Sequence, residues 1–574
     1  MAGFDPIVNI VIVLAAALVG GMVAHRLRQP VILGYLLVGV ALGPHGFGIV
    51  SDLELIETLA TIGVALLMFT VGLEISYSQL WEVGRVGIWG GIAQISATFA
   101  LGMAAGWLIF DWTLSDATFF GLIISLSSTM VGLKLLMERG ELDSVHGRIM
   151  VAILIVQDLS VVLMMVVVPV FGATPQVLLT SLAVSLGKAV LFLGVAIILG
   201  IWVLPWLLGT VAGVRSRELF LLTILILCFG AAIATYIFGL SIVFGAFVVG
   251  LLLRESRFAH QALAEVTPLR DVFATLFFVS LGMLLSLQFV VEHRTAVLLL
   301  VGVVLGLKFL ICFGITRFFG YGGRVAVFVG AGLVQMGEFG FILAQAGMNA
   351  GIITEHIYSL VISSTVITML LTPVLMGLVS VLYPRSLGIP PVRELLTGDS
   401  IVSEGLKSSQ PENLVVLCGY GRVGRNVARS LRNLAIPYLI IEMDPERISE
   451  LHREGEPCIY GDASNVHVLS LAGLDKASVL VITFPDPLAT VTTAKTALKM
   501  NPKLQIIARV HRRREIELLD SLGVSGLVSP EYEASFEFVR HTLAGIGWNK
   551  AKIQQAINRL KHHKEEGELN PSEE

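Results

Sequence analysis

The stretch MVAILIVQDLSVVLMMVVV, residues 150–168, places Gln157 and Asp158 inside an apolar run that is long enough to cross a bilayer. An apolar environment disfavours the charged form of a carboxyl group, so a buried acid here binds a cation, carries protons or pairs with a base. The stretch therefore predicts a membrane helix with an ion or proton site at Asp158.

The composition extends this prediction to most of the chain. The 574 residues are 55% apolar and 14% charged, and the mean hydropathy is +0.83, which is typical of a polytopic membrane protein and excludes a soluble enzyme. Residues 394–574 contain more charged residues than residues 1–393, so a soluble part follows the membrane part. A net charge of −4 without a basic run argues against nucleic-acid binding, and four cysteines without CxxC spacing argue against a zinc site.

Thirteen apolar runs are long enough to be predicted as transmembrane helices. An odd number of spans puts the termini on opposite sides, and the arginines and lysines of the loops fall on one set of loops, with Arg294 alone on the other. The positive-inside rule then predicts a multi-pass cell inner membrane protein with its N-terminus outside and its C-terminal region in the cytoplasm. The runs lie near residues 5–25, 30–48, 55–73, 84–110, 115–137, 146–170, 177–209, 217–238, 239–255, 271–290, 295–319, 324–347 and 355–383.

The chain divides at a segment rich in Pro, Ser and Gly, residues 384–412, which interrupts the apolar pattern as a linker does. Before it, residues 1–383 form a transmembrane domain. After it, residues 413–543 alternate apolar strands with amphipathic helices, which predicts an α/β, doubly wound, Rossmann-like cytoplasmic domain. Residues 544–574 form a charged C-terminal tail.

Two of the apolar spans contain polar or glycine-rich interruptions, which predict helices broken at mid-membrane. Such breaks expose backbone carbonyls and helix ends that replace the water of an ion, so we expect an ion site between them. The alternative is that Ser and Gly only allow close helix packing. The candidate residues of the two breaks are Ser127, Ser128, Thr129, Gln335 and Glu338.

Two further ionisable groups lie deep in the predicted helices. Lys308 is costly there unless it meets a carboxylate or a cavity, so it is a candidate partner of Asp158 when no cation is bound, with snorkelling as the alternative. Glu338 binds the ion, carries a proton or caps the broken helix, and the sequence does not decide among these roles.

The soluble domain begins with a glycine motif of the form GxGxxG, placed directly after a strand and before a helix. Its glycines let backbone amides approach a phosphate, and Glu442, which ends the next strand, is positioned to bind two ribose hydroxyls. Asp462 and Ala463, after the third strand, flank the base or ribose, or else form a tight turn with a helix N-cap. The motif residues are Gly419, Tyr420, Gly421, Arg422, Val423 and Gly424, and Asp444 follows Glu442.

These residues and segments resemble the monovalent cation:proton antiporter-2 family, and within it the Kef-type potassium antiporters with a C-terminal RCK (TrkA-N) domain. The resemblance covers about residues 1–540 and rests on residues 33–44, 63–74 and 276–283, the SLSST break, the VQDL segment, Lys308, the GEF segment, GYGRVG, IIEMD and GDAS. It implies about thirteen transmembrane helices in inverted repeats with two broken crossing helices, and a homodimer through membrane and RCK domains.

The resemblance also implies a function. K⁺, or alternatively Na⁺, binds at Asp158 in exchange for a proton, Gln157 marks members with a single carboxylate, and an elevator-like movement carries out electroneutral antiport. An adenine nucleotide (AMP, ADP, ATP or NAD(H)) binds the RCK domain and regulates transport, with Arg422 and Arg509 as possible contacts, and an accessory subunit is a possible partner. The rivals are an RCK-gated potassium channel, for which the TVGYG filter is missing, and a membrane-tethered oxidoreductase, for which a second catalytic domain is missing.

Overall fold

The computed structural model describes residues 5–27, 29, 31–50, 53–74, 86–167, 178–214, 216–238, 242–283, 285–386, 413–510 and 513–565. They form two compact units, one within residues 1–138 and 146–393 and the other within residues 139–145 and 394–574. Most of the predicted linker, residues 387–412, and the end of the predicted tail, residues 566–574, lie outside the described residues.

The first unit is entirely helical in its described part. Among the described residues, nine segments are long and apolar enough to cross a membrane, and four shorter apolar helices accompany them; together they correspond to the thirteen predicted spans. The helices are α1 (Asp5–Arg26), α2 (Val31–Leu42), α3 (Leu53–Glu74), α4 (Gly91–Ile109, after a π-helical turn Val86–Gly90), α5 (Leu114–Ser125), α6 (Thr129–Arg139), α7 (Val145–Val167), α8 (Leu178–Gly213), α9 (Arg217–Ile237), α10 (Ile242–Arg254), α11 (Ala259–Met283), α12 (Leu287–Glu292), α13 (Arg294–Phe318), α14 (Gly323–Gly332), α15 (Glu338–Asn349) and α16 (Glu355–Ser386).

Both predicted helix breaks are present. Residues 126–128 separate α5 from α6, and residues 333–337 separate α14 from α15. The two breaks are in direct contact, since the Gly337 amide donates to the carbonyl oxygen of Leu126 at 3.1 Å and the Ser127 hydroxyl donates to that of Leu333 at 3.0 Å. Each break therefore satisfies part of the other's exposed backbone.

The tenth span differs from the prediction, which gave residues 271–290. The helix begins at Ala259 and ends at Met283, and a short helix, α12, follows it. Charged side chains near Arg270 lower the hydropathy of the first half of α11, so an apolar window misses that half. At the other end, Ser286 accepts a hydrogen bond from the amide of Phe289 at 3.1 Å and starts α12 as an N-cap.

The second unit is built on a six-stranded, fully parallel sheet in the order β3-β2-β1-β4-β5-β6, which is the order of a Rossmann-like fold. The central strand β1 pairs Val416 with Leu439 of β2 and with Leu480 of β4. The elements are β1 (Val415–Cys418), α17 (Arg422–Asn433), β2 (Tyr438–Glu442), α18 (Pro445–Glu454), β3 (Cys458–Tyr460), α19 (Val466–Leu471), β4 (Val479–Ile482), α20 (Pro487–Met500), β5 (Gln505–Arg509), α21 (Arg513–Ser521), β6 (Gly526–Val528), α22 (Pro530–Gly545) and α23 (Lys550–Glu565).

Two features of this unit go beyond the sequence prediction. The edge strand β6 is only three residues long and has little apolar alternation, so the pattern of the chain does not reveal it. The first part of the charged tail is ordered as α23, because Ile553 and Ile557 bury their side chains against Phe536 of α22. Lys550, Lys552 and Arg559 of α23 are exposed.

Candidate functional site

The site begins with Asp158, which α7 carries in the middle of the membrane unit. Its side chain is 8% exposed. The hydroxyl of Thr129, the first residue of α6, lies 2.9 Å from Oδ1 and 3.1 Å from Oδ2 of this carboxyl group. The carboxyl group therefore lies beside the N-terminal end of a half-helix, where the helix dipole favours negative charge.

Asp158 lines a cavity of about 600 Å³. The walls come from α2, α3, α6, α7, α11 and α15, and they are mainly apolar. The polar groups on the walls are Tyr35, Thr70, Thr129, Asp158, Arg270, Asp271, Thr275 and Glu338. Carboxylate and hydroxyl oxygens in a confined apolar space are the groups that replace the water of a monovalent cation.

Gln157 holds the first break together. Its Oε1 atom accepts the Ser127 amide at 2.7 Å, and its Nε2 atom donates to Oε1 of Gln94 at 2.6 Å. Gln94, on α4, in turn donates to the carbonyl oxygen of Ser125 at 3.1 Å. The two amides thus supply partners for backbone groups that the helix break leaves without intrahelical partners.

Lys308 of α13 joins the two breaks. Its ammonium group donates to the carbonyl oxygen of Leu126 at 2.9 Å and to that of Gln335 at 2.8 Å, and the residue is fully buried. The sequence suggests Asp158 as its partner, but the structure pairs the ammonium group with these two carbonyl oxygens. The reason is geometric, since the breaks leave these two main-chain carbonyls without intrahelical partners close to the ammonium group.

The second break has its own polar support. Gln335 donates through Nε2 to the carbonyl oxygen of Ser128 at 3.3 Å and accepts from the Thr372 hydroxyl at 3.4 Å. The Met336 amide donates to the hydroxyl of Thr368 on α16 at 3.2 Å. The hydroxyl groups of Thr368 and Thr372 on α16 therefore hydrogen-bond to polar groups of the second break, as Gln157 and Gln94 do for the first break.

Glu338 is the first residue of α15 and lines the same cavity as Asp158. It is 3% exposed, and its Oε2 atom is buried without a hydrogen-bond partner among the described residues. Ser128, whose Oγ caps α6 by accepting the Val131 amide at 3.2 Å, faces the same carboxyl group.

The eight candidates of the membrane unit thus separate into two groups. Thr129, Asp158 and Glu338 line the cavity, whereas Ser127, Ser128, Gln157, Lys308 and Gln335 hold the breaks in place. Sequence reasoning missed Gln94 and Thr368. Each is a polar residue inside an apolar span, which is the signal that could have found them.

In the second unit, the residues predicted to bind a nucleotide, here called the cradle, lie at the carboxyl ends of β1, β2, β3 and β5. Gly419 follows β1 with a φ of +97°, a left-handed conformation that favours glycine. Gly424 packs so closely that a Cβ atom there would lie 2.0 Å from the carbonyl oxygen of Gly419. Gly421 is the N-cap of α17, so free amides of Arg422 and Val423 open towards this crevice.

Glu442 is engaged by backbone amides. Its Oε2 atom accepts from the amide of Tyr420 at 2.6 Å, and its Oε1 atom accepts from those of Met443 at 2.8 Å and Asp444 at 3.0 Å. The carboxylate therefore fixes the glycine loop. A carboxylate has about four acceptor positions, so one remains for a ribose hydroxyl.

Arg447, which sequence reasoning missed, lies at the opening of this cradle. Its Nη1 atom is 3.7 Å from Oε2 of Glu442, and its Nε atom is 3.5 Å from Oδ2 of Asp444. A Cβ atom on Gly421 would lie 3.4 Å from the same guanidinium group. This positive group therefore lies beside the glycine at which a phosphate approaches such a loop.

The remaining predicted cradle residues fall at the same edge of the sheet. Asp462 accepts from the amide of Ser464 at 2.8 Å, so it forms the tight turn that the sequence offered as one alternative, while Asn465 provides the helix N-cap. Ala463 is buried, and Arg509 ends β5.

The described geometry combines two broken helices in contact, a buried acid at a cavity and a Rossmann-like unit, and comparison with known proteins identifies this combination. A family profile described as sodium/hydrogen exchanger, transmembrane, matches residues 13–377, which include both breaks. The chain belongs to the sodium/hydrogen exchanger family. A second profile, the TrkA-N domain, matches residues 415–530, which contain the whole six-stranded sheet.

Relatives of this exchanger combine both parts. YbaL of Escherichia coli (strain K12), named as a cation/proton antiporter, is 36% identical over 528 residues, which are 91% of this chain and 94% of YbaL. KefB of Alkalimonas amylolytica, named as a K⁺ efflux antiporter, is 30% identical over 548 residues, 93% of this chain and 81% of KefB. This exchanger is therefore a cation/proton antiporter with a C-terminal TrkA-N domain.

A solved structure shares the fold of the membrane unit. The sodium proton antiporter MjNhaP1 from Methanocaldococcus jannaschii, at pH 8, aligns with 66% of this exchanger and 97% of its own chain, with a TM-score of 0.50 and 17% identity.

Proposed function

We propose that this antiporter exchanges K⁺ for protons, one for one, and that the carboxyl group of Asp158 holds the cation and the proton in turn. The observation that carries the proposal is the position of Asp158, buried at the wall of a cavity beside the Thr129 hydroxyl. A buried carboxyl group at a cavity wall holds a cation when it is ionised and a proton when it is neutral.

One-for-one exchange follows from competition at a single carboxyl group. The residue next to Asp158 on α7 is Gln157, which is uncharged. Its side-chain amide is hydrogen-bonded to the Ser127 amide and to Gln94. The α7 contribution to the site is thus one exchangeable charge, and the cycle moves no net charge. A transport current that reverses with membrane potential would contradict this step.

The choice of K⁺ over Na⁺ is supported by the name of the relative KefB, a K⁺ efflux antiporter, at 30% identity. The wide cavity is compatible with the larger ion, which also loses its water more readily. Na⁺ remains the alternative substrate, and direct competition between the two ions in one assay decides between them.

The test is transport by the full chain in liposomes loaded with a pH-sensitive dye. We expect K⁺ to dissipate an imposed proton gradient with the wild type, and Asp158→Asn to be silent. Asp116→Asn is the matched control, because Asp116 is another buried acid of the membrane unit, 7% exposed, and does not line the cavity. Equal activity of Asp158→Asn and wild type would move the exchange site elsewhere.

The TrkA-N domain is proposed to bind an adenine nucleotide (AMP, ADP, ATP or NAD(H)) that biases transport. Support comes from the Gly421 N-cap, whose free amides suit a phosphate, and from the remaining acceptor position of Glu442 for a ribose hydroxyl. Titration of the purified full chain with each nucleotide tests this, and binding by none of them would remove the regulatory role.

The assembly proposed for this antiporter is a homodimer through its membrane and TrkA-N domains, with an elevator-like movement and the TrkA-N domain in the cytoplasm. The loop arginines support the orientation. Light scattering of the detergent-solubilised chain gives the mass of the protein component, and a monomeric mass would contradict the assembly. Protease accessibility of residues 413–565 from one side of inverted vesicles tests the orientation.

A further inference from the structure

We propose that Glu338 is a second carboxylate ligand of the transported cation, acting together with Asp158. This inference rests on the proposed exchange at Asp158 and adds the residue that completes the site. It selects one of three roles that the sequence leaves open for this acid.

The first observation is the unpartnered oxygen of Glu338. The side chain is 97% buried at the wall of the cavity of about 600 Å³, yet its Oε2 atom has no hydrogen-bond partner among the described residues. A buried acceptor without a donor is unfavourable, and more so when it is charged. A cation in the cavity removes this cost.

The second observation is that both carboxyl groups meet at one turn of the protein. The hydroxyl of Thr129 donates to Asp158, while its chain neighbours Ser128 and Met130 face Glu338. Since Ser128 accepts the Val131 amide through Oγ, its hydroxyl hydrogen is available for Glu338. Asp158 and Glu338 therefore both lie against the first turn of α6.

Two half-helix N-termini lie at these carboxyl groups and favour negative charge there. The N-terminal ends of α6 and α15 each carry about half a positive charge, which offsets about half of the two carboxylates together. The ammonium group of the buried base Lys308 donates instead to the carbonyls of Leu126 and Gln335 inside the two breaks.

A capping role alone does not account for Glu338. A helix cap uses its oxygens as acceptors for the free amides of the first turn. One oxygen of this carboxyl group has no donor, although it is fully buried and lies on the cavity wall. A free ligand position explains that oxygen and a cap does not.

The experiment compares Glu338→Gln with Glu355→Gln in the full chain. Glu355 is also the first residue of a membrane helix, α16, but it is exposed and away from the cavity, so it controls for the loss of an acid at a helix N-terminus. We expect the KM for K⁺ to rise at least about tenfold in Glu338→Gln and to stay at the wild-type value in Glu355→Gln. We also expect KCl, relative to choline chloride, to raise the Tm of the wild type and to raise that of Glu338→Gln by clearly less.

Wild-type KM and a wild-type response of Tm to K⁺ in Glu338→Gln would overturn the inference and leave the residue a helix cap. Should this variant fail to fold, Glu338→Asp keeps the charge but withdraws it by one methylene. We then expect the ratio of the KM values for Na⁺ and K⁺ to change at least about threefold, and an unchanged ratio overturns the inference. If Asp158→Asn does not transport and Glu338→Gln behaves as the wild type, this inference alone is wrong. If Asp158→Asn transports normally, the proposed function itself is wrong.

Discussion

The ammonium group of Lys308 lies 2.8 Å from the carbonyl oxygen of Gln335, inside the break between α14 and α15. The same group lies 2.9 Å from the carbonyl of Leu126 in the other break, so one side chain from α13 fastens both interrupted helices. A buried lysine is costly by itself, and here two main-chain carbonyls of the breaks accept its hydrogen bonds.

Replacing Lys308 by methionine should destabilise the membrane unit, because the carbonyl of Gln335 loses this donor. An unsatisfied buried acceptor costs roughly 1–3 kcal/mol, so we expect a clear fall in Tm in detergent. Lys188→Met is the control, since Lys188 is exposed on α8. If both variants unfold at the wild-type temperature, Lys308 does not stabilise the two breaks as the geometry indicates.

The amide pair Gln157–Gln94 should behave as one unit. Gln157→Leu leaves the Ser127 amide without its acceptor, and Gln94→Leu removes the next partner in the chain of hydrogen bonds. We expect each single change to lower stability by about 1–3 kcal/mol and the double change to cost less than the sum. Gln288→Leu, at an exposed position of α12, controls for the loss of an amide.

A double-mutant cycle on thermal or denaturant unfolding measures the coupling between the two glutamines. Strict additivity would mean that they act independently. Transport assays on the same proteins report whether the break keeps its shape, since Gln157 does not line the cavity.

The sequence was sufficient to predict the helix breaks, because Ser, Gly and charged residues stand out in apolar spans. It could not predict which groups hydrogen-bond to the backbone amides and carbonyls that the breaks expose. The partners of Lys308 are main-chain carbonyls, which every residue has and which leave no trace in a sequence. Gln94 lies 63 positions from Gln157, and only the packing of α4 against the break brings them together.

The second unit shows the same limit at its cradle. The glycine spacing identified the loop, because the required backbone geometry restricts the residue type, as at Gly419. The pattern did not reveal that Glu442 is held by three amides, or that Arg447 lies at the opening. Both depend on side-chain directions at the ends of adjacent strands.

Gly337 should tolerate no side chain. A Cβ atom there would lie 2.8 Å from the carbonyl carbon and oxygen of Ser127, both of them backbone atoms that cannot move aside. Gly337→Ala therefore forces the two breaks apart, and we expect loss of K⁺-dependent proton transport together with a lower Tm. Gly377→Ala is the matched control, since nothing lies within 4 Å of a Cβ atom at that position of α16. Normal transport by Gly337→Ala would show that the breaks need not touch.

Arg447 should contribute to nucleotide affinity. Its guanidinium group lies beside Gly421 and is held near Glu442 and Asp444, so a phosphate at the loop comes within reach of it. A charge-assisted contact is worth roughly 1.5–3 kcal/mol, so Arg447→Ala should weaken binding of AMP or NAD(H) at least about tenfold. Arg453→Ala is the control, because Arg453 is exposed later on the same helix. Calorimetric titration of the full chain checks this, and equal affinities would exclude Arg447 from the site.

Cys418, at the end of β1, should resist alkylation in the folded protein. Burial raises the pKa of its thiol, and the nearby charges of Asp462 and Glu442 raise it further. The reactive thiolate is therefore disfavoured in the folded state. Because the folded pKa lies above the unfolded one, this contribution to stability is present below the ordinary thiol pKa and is lost as the pH rises towards the folded value.

The measurement is the rate at which N-ethylmaleimide modifies Cys418 at pH 8, followed by mass spectrometry of the peptide that contains it. We expect the rate in the native full chain to be at least about a hundredfold below that in denaturant, where the thiol has its ordinary pKa. Cys418→Ser identifies the peptide and should leave the other cysteines unchanged. Equal rates in the two states would mean that the end of β1 opens readily, and the glycine loop that follows it would then lack the fixed geometry on which phosphate binding depends.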